Sequence, residues 1–271
     1  MRIILSIILN FLEKGGNKVV NKFAIVNQKG GVGKSTTAVN LGASLAEMDK
    51  KVLIIDVDPQ GNATSGLGIE KSSVDESIYN VLVDEVDVKE AIVETDTKNL
   101  FLLPSNIDLA GAEIELVSMM SRETRLKIAL EDKEDEFDYI FFDCPPSLGL
   151  LTLNALSAAD SIIVPIQCEY YALEGLGQLI ETIKLVQNNL NQELKIEGVV
   201  LTMYDARTNL SKQVSDEVKN FFDNKVYKTV IPRNVRLSEA PSFGQPVIEY
   251  ASNSKGAKMY RKLAKEVNNN V

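Results

Sequence analysis

The chain has 271 residues, of which 45% are hydrophobic and 25% are charged, proportions that exclude an intrinsically disordered protein. It contains no histidine, which excludes a Ser-His-Asp triad and any histidine-ligated metal site. The net charge of -9 argues against nucleic-acid binding by the surface as a whole. The two cysteines, Cys144 and Cys168, lack the spacing of a disulfide framework or a zinc knuckle and suit a reducing cytoplasm.

The first 22 residues, MRIILSIILNFLEKGGNKVVNK, form an N-terminal extension before the first predicted strand. The apolar run after Arg2 resembles a short signal sequence, but no small-residue cleavage site follows it and it is too short to span a bilayer as a helix. Polar residues recur in it at a near-helical interval. Two alternatives therefore stay open: a translated leader, or an amphipathic surface helix that binds membrane or protein.

From residue 23 onward, short apolar runs alternate with longer amphipathic patterns, which indicates repeated β-α-β units. Most of the runs are β-branched and apolar throughout, as in strands that a parallel sheet buries on both faces. We therefore predict one α/β domain over residues 23–271, a doubly wound, mostly parallel sheet with helices on both faces. The predicted strands are 23–26, 52–56, 100–104, 139–143, 161–166, 197–204 and 226–232, and the predicted helices are 35–48, 107–131, 149–158, 172–191, 209–222 and 254–267.

The segment KGGVGKST lies between the first predicted strand and the first predicted helix. Its glycines allow backbone conformations in which successive N–H groups point at phosphate oxygens, and the helix N-terminus adds a positive dipole. Lys34 is expected to reach the β and γ phosphates of ATP, and the Ser35 hydroxyl to ligate Mg²⁺. The strict P-loop pattern fails only at Gln28, where it requires glycine. The predicted nucleotide-binding residues here are Lys29, Gly30, Gly31, Val32, Gly33, Lys34, Ser35 and Thr36.

Three aspartates follow predicted strands and are candidates for holding the cation and the attacking water. Asp143 ends the strand YIFFD, and Asp56 ends the strand VLIID, with Asp58 two residues later. Residues two apart in an extended strand face the same side, so Asp56 and Asp58 can both face the phosphates. We predict that Asp56 and Asp143 join Ser35 as metal ligands. The alternative is that one of these aspartates only caps the turn that follows.

Lys29 is a second lysine in the loop, five residues before Lys34. In a face-to-face dimer, its long side chain can reach the phosphates of the partner subunit and add positive charge there, as an arginine finger does. The alternative is an ordinary solvated lysine in a loop.

The stretches KGGVGKST, VLIIDVDPQGN and FFDCPPS resemble the deviant Walker A ATPases. LTMYDARTNLSKQV and VIPRNVRLSEAPSFGQPV resemble more specifically the ParA/Soj branch, which partitions chromosomes and plasmids. This resemblance implies a P-loop fold and an ATP-dependent homodimer in which Lys29 and Lys34 are catalytic, with Lys29 acting across the interface. It also implies that Asp58 is tied to hydrolysis and that Pro232 and Asn234 line the adenine pocket.

Basic residues concentrate in residues 203–265, which hold twelve of them against six acidic residues. Arg207 and Arg236 lie there in loop motifs that, by the same resemblance, belong to a DNA-binding face. Since no base-reading pattern is evident, we expect contacts to the DNA backbone that are insensitive to sequence. The resemblance further implies a ParB-type partner that accelerates hydrolysis, and a cytoplasmic, nucleoid-associated protein with no membrane partner.

Two other functions stay open as alternatives. One is a MinD-like positioning ATPase that uses residues 1–14 as a membrane anchor. The other is a metabolic enzyme with the same loop, such as an amide-forming synthetase. The extension departs from the ParA/Soj pattern, and translation from an alternative start codon at Val19 or Val20 would account for it.

Overall fold

A seven-stranded sheet lies at the centre of the computed structural model, which describes residues 20–170 and 175–271. The strands are β1 (Asn21–Ile25), β2 (Val52–Asp56), β3 (Val93–Glu94), β4 (Leu100–Leu103), β5 (Tyr139–Asp143), β6 (Ser161–Gln167) and β7 (Lys195–Thr202). Their order across the sheet is β3-β4-β2-β5-β1-β6-β7, and only β3 runs antiparallel to its neighbour. The predicted doubly wound α/β fold is confirmed.

Helices cover both faces of this sheet. Those between the first and fifth strands are α1 (Lys34–Ala46), α2 (Asn62–Gly66), α3 (Ile78–Val83), α4 (Val88–Ala91), α5 (Leu109–Glu115) and α6 (Arg125–Leu130). Those that follow are α7 (Leu150–Ala158), α8 (Leu176–Asn189), α9 (Asn209–Phe222), α10 (Val235–Glu239), α11 (Val247–Tyr250) and α12 (Lys255–Asn270).

Successive residues of a strand point to opposite faces, so the sheet separates two apolar clusters. Phe23 and Ile25 of β1 pack with α1 and α12, whereas Ala24 packs on the other face with α7, α8 and α9. All five residues of β2 and all five of β5 are buried. Burial of both faces explains why these strands read as continuous apolar runs.

The strand predicted at 226–232 is wrong. Those residues make only two isolated bridges, one from Val226 to Val199 of β7 and one from Pro232 to Tyr204, two residues beyond the end of β7. Pro232 has no backbone N–H to donate, which limits regular pairing there.

The single helix predicted over 107–131 is also wrong, because α5 and α6 occupy its two ends. Ser121 lies between them with φ 54°, a left-handed backbone conformation that an α-helix does not contain. The helix predicted at 172–191 corresponds to α8. The first three residues of that prediction, 172–174, lie outside the described residues. The short strand β3 was missed.

The first strand begins at Asn21, two residues before the predicted start. Residues 1–19, which hold nearly all of the N-terminal extension, lie outside the described residues, and so do both interpretations of that segment. Within 20–170 and 175–271, no helix has the length and apolar composition needed to cross a bilayer.

Candidate nucleotide site

The loop between β1 and α1 has the backbone geometry of an anion cradle. Gly31 and Gly33 have φ of 73° and 92°, in the left-handed region that side chains disfavour. Gly33 caps the N-terminus of α1 without a side-chain hydrogen bond, and the first turn carries no acidic residue. The first N–H groups of the helix therefore stay available to a phosphate and the dipole favours one.

This loop lines a cavity of about 410 Å³, within the roughly 300–1,000 Å³ typical of small-molecule sites. Of the predicted nucleotide-binding residues, those in contact with the cavity are Gly30, Gly31, Gly33, Lys34, Ser35 and Thr36. Val32 instead points into the protein and is 1% exposed. Its backbone carbonyl accepts a 2.7 Å hydrogen bond from the hydroxyl of Thr202, at the end of β7.

Lys34 is the buried cation of the site, with 7% of its surface exposed. Its ammonium donates a 3.4 Å hydrogen bond to the backbone carbonyl of Lys29. Burial lowers the pKa of Lys34, and the attraction of Asp143 and Asp58 partly offsets that effect. A buried cation with only a long contact to a carbonyl is suited to receive anionic phosphate oxygens.

Asp143 is the buried anion of the site. It lies at the end of β5, directly beside Asp56 of β2 in the sheet register, and it is fully buried. Neither carboxylate oxygen accepts a hydrogen bond in acceptable geometry. Burial and repulsion from Asp56 raise the pKa of Asp143 well above its usual range, although the nearby Ser35 hydroxyl and Lys34 lower it somewhat.

Asp56 is held differently, because the protein itself satisfies both of its oxygens. Its Oδ2 accepts hydrogen bonds of 2.8 Å from the backbone N–H and from the hydroxyl of Thr64. Its Oδ1 accepts a 3.2 Å bond from the backbone N–H of Asp58. Burial nevertheless raises the pKa of Asp56 to about 6. Of the two predicted metal-binding carboxylates, only Asp143 therefore has oxygens without donors.

These groups fit a hard divalent cation. The unpaired oxygens of Asp143 and the hydroxyl of Ser35 are the oxygen donors that Mg²⁺ prefers. Within the described residues there is no group of three or more His, Cys, Asp or Glu side chains arranged to hold a metal.

Asp58 lies at the wall of the cavity and is 7% exposed. Its carboxylate accepts a 2.9 Å hydrogen bond from the backbone N–H of Gln60, and its backbone carbonyl accepts one of 2.8 Å from the Ser105 hydroxyl. The same serine donates its backbone N–H to the hydroxyl of Thr64. Thr64 and Ser105 therefore fix both aspartates. The sequence analysis did not identify them, since their only signal is an ordinary hydroxyl residue in a loop or helix start.

Lys29 does not line this cavity. It borders a separate surface depression together with Gln28, Gly175, Gly177 and Gln178. Its side chain is half-buried and forms no ion pair with any residue in 20–170 or 175–271. Among the described residues, the ammonium of Lys29 thus has no ion-pair partner.

Pro232 and Asn234 are not among the residues that line the cavity either. Asn234 caps α10, because its side-chain oxygen accepts a hydrogen bond from the backbone N–H of Arg236. Met203, Pro241 and Gln245 line the cavity from this part of the chain instead. Met203 has φ 50°, an uncommon backbone conformation for a bulky side chain, and the sequence gives no signal for it.

Arg207 and Arg236, the predicted DNA-binding residues, are exposed, and each is paired with a carboxylate. Arg207 makes a two-pronged contact with Asp205, at 2.9 and 2.6 Å, which lowers the pKa of that carboxyl. Arg236 pairs with Glu239 at 2.7 Å. The two side chains are 87% and 56% exposed, so DNA phosphates have access to both.

Comparison with known proteins agrees with this geometry. Residues 20–196, more than half of the chain, match a family model described as an AAA domain. The chain is 64% identical over 244 residues to "Sporulation initiation inhibitor protein Soj" of Bacillus subtilis, covering 90% of this chain and 96% of that one. It is 52% identical over 255 residues to "Chromosome partitioning protein ParA" of Myxococcus xanthus, covering 94% and 90%.

A solved structure of similar fold is that of cobyrinic acid a,c-diamide synthase from Mycobacterium smegmatis with bound ADP and magnesium. It superposes with a TM-score of 0.81 at 42% identity, over 91% of this chain and 93% of that one. The chain described here therefore belongs to the ParA/Soj family of P-loop ATPases.

Proposed function

We propose that this protein is a Mg²⁺-dependent partitioning ATPase whose ATP-bound form is a nucleotide-sandwich dimer that binds DNA without sequence preference. Hydrolysis, accelerated by a ParB-type partner, releases the dimer from DNA. The proposal rests on one observation above all: in a ParA/Soj family member, the buried Lys34 lines the cavity beside the phosphate-binding loop, and the buried, donor-free carboxylate of Asp143 lies close enough to attract its ammonium. The names of its relatives, Soj and ParA, support the partitioning role.

In this proposal, Lys34 and the N–H groups of the loop bind the triphosphate. Ser35 and Asp143 hold Mg²⁺, which when bound neutralises charge on the β and γ phosphates. Asp56, fixed by Thr64, orients water around that site. Asp58 faces the cavity and positions the attacking water. Nucleotide and magnesium bound together in the related M. smegmatis structure support this assignment.

Lys29 is the reason why hydrolysis requires a dimer in this proposal. Its side chain borders a depression separate from the nucleotide cavity and forms no ion pair with the described residues of its own subunit. Two subunits facing each other through their nucleotides would bring each Lys29 to the partner's γ-phosphate, where negative charge develops during hydrolysis. A monomer would then bind ATP but hydrolyse it slowly.

Lysines of α12 add to the proposed DNA surface. Leu237 of α10 packs directly on Gly256, so the start of α12 lies beside the helix that carries Arg236. Four exposed lysines recur at helical spacing along α12, and none is ion-paired with another described residue. These lysines are Lys255, Lys258, Lys262 and Lys265. Dimerisation would double all of these phosphate contacts and so make DNA affinity depend on ATP.

The proposal is tested with purified wild-type protein and three variants, Lys34→Ala, Lys29→Ala and the matched surface control Lys184→Ala. We expect Lys34→Ala to lose nucleotide binding, measured with a fluorescent ATP analogue. Lys29→Ala should bind nucleotide and lose hydrolysis, and Lys184→Ala should behave like wild type. Gel filtration with a non-hydrolysable analogue should show a wild-type dimer, and DNA binding should require that analogue.

A hydrolysis rate unaffected by Lys29→Ala, or equal DNA affinity with and without nucleotide, would refute the proposed cycle. A further experiment measures ATP turnover with DNA and the ParB-type protein added separately and together. The largest stimulation of ATP turnover is expected when both are present, and the protein is expected to associate with the nucleoid in cells.

An amide-forming synthetase is a second candidate, favoured by 42% identity to the M. smegmatis protein of that description. The two functions differ in what ATP turnover requires. A partitioning ATPase hydrolyses ATP with DNA alone, whereas a synthetase needs a carboxylic-acid acceptor and an amide-nitrogen donor. ATP turnover that rose only on addition of cobyrinic acid and glutamine would favour the synthetase.

A further inference from the structure

Asn27 is a buried polar residue directly after the core of β1, and nothing in the nucleotide chemistry described above uses it. Only 4% of its surface is exposed, and it does not line the cavity. Burial of an amide is costly unless its hydrogen bonds are made inside the protein. The partners of Asn27 therefore indicate its role.

The Asn27 side chain joins two parts of the chain that are far apart in sequence. Its Nδ2 donates a 2.7 Å hydrogen bond to the backbone carbonyl of Pro165 in β6. Its Oδ1 accepts a 2.9 Å hydrogen bond from the backbone N–H of Lys29. Regular pairing of β1 with β6 ends nearby, where the N–H of Val26 donates to the carbonyl of Ile163. The side-chain amide of Asn27 thus adds one more hydrogen bond to β6 beyond the point where backbone pairing between β1 and β6 ends.

The backbone of Lys29 is held on both sides as a result. Asn27 accepts from its N–H, and the ammonium of Lys34 donates to its carbonyl at 3.4 Å. The Cα–Cβ direction of Lys29 is therefore fixed relative to the sheet, although its side chain is free of ion pairs within the described chain. A flexible side chain that starts from a fixed backbone loses less entropy when its charge reaches a defined position.

We propose that Asn27 is a positioning residue for Lys29, anchoring the lysine's backbone to β6 so that its ammonium can reach the partner subunit's γ-phosphate. This inference rests on the role given to Lys29 under the proposed function. It assigns no contact with substrate to Asn27, which acts only through Lys29.

The test compares Asn27→Ala with Asn27→Ser, Lys29→Ala and the double variant Asn27→Ala/Lys29→Ala. Serine keeps a side-chain oxygen that can accept the N–H two residues ahead, whereas alanine does not. Asn154 gives a matched control: it is fully buried, accepts from the N–H of Leu126 at 3.1 Å and donates to the carbonyl of Arg122 at 2.7 Å, outside the nucleotide site. Thermal unfolding and the Kd for a fluorescent ATP analogue are measured for every variant, together with kcat and KM for ATP.

We expect Asn27→Ala to lower kcat on the order of 10- to 100-fold, as misplacement of a catalytic group does, with a much smaller change in nucleotide Kd. Asn27→Ser should recover part of kcat, because serine can keep the bond to the Lys29 N–H but loses the amide bond to Pro165. Asn154→Ala should lower thermal stability and leave kcat near that of wild type. The double variant should be no slower than Lys29→Ala alone, because both changes remove the same contribution.

Three outcomes overturn the inference alone. The first is a slow Lys29→Ala beside a normal Asn27→Ala, and the second is effects that multiply fully in the double variant. A fall in kcat that merely tracks thermal stability across Asn27→Ala and Asn154→Ala also overturns it. Wild-type turnover by Lys29→Ala would instead overturn the proposed role of Lys29, and this inference with it.

Discussion

The hydroxyl of Thr202 donates a buried 2.7 Å hydrogen bond to the backbone carbonyl of Val32, which joins the end of β7 to the middle of the phosphate-binding loop. Thr202 is followed directly by Met203, whose side chain lines the nucleotide cavity, and shortly after by Arg207. The predicted nucleotide and DNA sites are thus connected by one hydrogen bond and a few residues of chain.

Thr202→Val should weaken nucleotide binding. Valine has nearly the shape of threonine but leaves the buried carbonyl of Val32 without a donor, which costs about 1–3 kcal/mol. Part of this cost is expected as a lower thermal unfolding temperature and part as a higher Kd for ATP, because the loop loses its anchor. Thr95→Val is the control: it removes a 2.8 Å hydroxyl-to-carbonyl bond to Leu100, beside the antiparallel edge strand. An equal loss of ATP affinity in both variants would contradict a specific role for Thr202.

Asp143→Asn should stabilise the nucleotide-free protein while abolishing Mg²⁺-dependent hydrolysis. The wild-type carboxylate is buried, lies beside Asp56 and accepts no hydrogen bond, so its charge is unfavourable until a cation binds. Chemical denaturation without Mg²⁺ should show a higher free energy of unfolding for the variant, by about 1–3 kcal/mol. A variant that is less stable than wild type without Mg²⁺ would contradict this account of the site.

Stability without Mg²⁺ should fall as the pH rises. Burial raises the pKa of Asp56 from 3.8 to about 6, so the folded protein holds that proton more tightly than the unfolded chain does. Deprotonation between about pH 4 and about pH 6 therefore costs stability, and the loss is complete above that range. The raised pKa of Asp143 acts in the same direction.

Added nucleotide and Mg²⁺ should reverse this loss, most strongly at neutral pH, because a cation favours the ionised carboxylates. Thermal unfolding between about pH 5 and about pH 7.5, with and without both ligands, measures the effect. Asp143→Asn is the control and should show a smaller dependence on pH.

Arg207→Ala should lower the salt dependence of DNA binding as well as its strength. Each phosphate contact contributes about 0.9 to the slope of log K against log salt concentration. Loss of one contact in each subunit of a dimer should reduce that slope by about 2. Lys127→Ala, which removes an exposed lysine of α6, is the control and should leave the slope unchanged.

Asp205→Asn should have the opposite effect to Arg207→Ala. The carboxylate of Asp205 holds the guanidinium of Arg207, so in the proposed complex it would compete with DNA phosphates for that group. Its neutralisation should tighten DNA binding at low salt, as measured by fluorescence anisotropy. Tighter binding by Arg207→Ala itself would contradict the assignment of this loop to the DNA surface.

Gly198→Ala should detach residues 226–232 from the sheet. A Cβ at Gly198 in β7 would clash with the ring of Tyr227, which packs against this glycine. Overpacking of this kind typically costs about 1–3 kcal/mol. Faster hydrogen exchange of residues 226–232 than in wild type would report the detachment. Gly177→Ala is the control, since a Cβ there meets no described atom within 4 Å apart from its chain neighbours and the backbone of its own helix.

The sequence predicted the features that depend on local pattern. Apolar runs that end in Asp56 and Asp143 predicted buried strands with carboxylates at one edge, and β2 and β5 have that form. Glycines before Lys34 predicted a loop that opens a helix, and α1 begins at that residue. In each case the signal lies within a few neighbouring residues.

Features that depend on distant parts of the chain were not predictable. Thr202 meets Val32 across 170 positions, and Ser105 meets Thr64 across 41. The short, partly β-branched apolar run in 226–232 favoured a strand, but packing of Tyr227 on Gly198 and the proline at its end leave only isolated bridges. Which hydroxyl forms a hydrogen bond with which distant backbone group is determined by the tertiary fold and not by the local sequence.

Both lateral edges of the sheet are closed within the described chain. At one edge, residues 226–232 lie along β7. At the other edge, the two-residue β3 runs antiparallel to β4 and leaves few backbone N–H and C=O groups with which another strand could pair. A second molecule therefore has no long row of unpaired amides on which to extend the sheet. Self-association through strand addition, which tends toward fibres, is disfavoured by this architecture. In the proposed dimer, by contrast, subunits that meet through loops and bound nucleotide can separate once that nucleotide is hydrolysed.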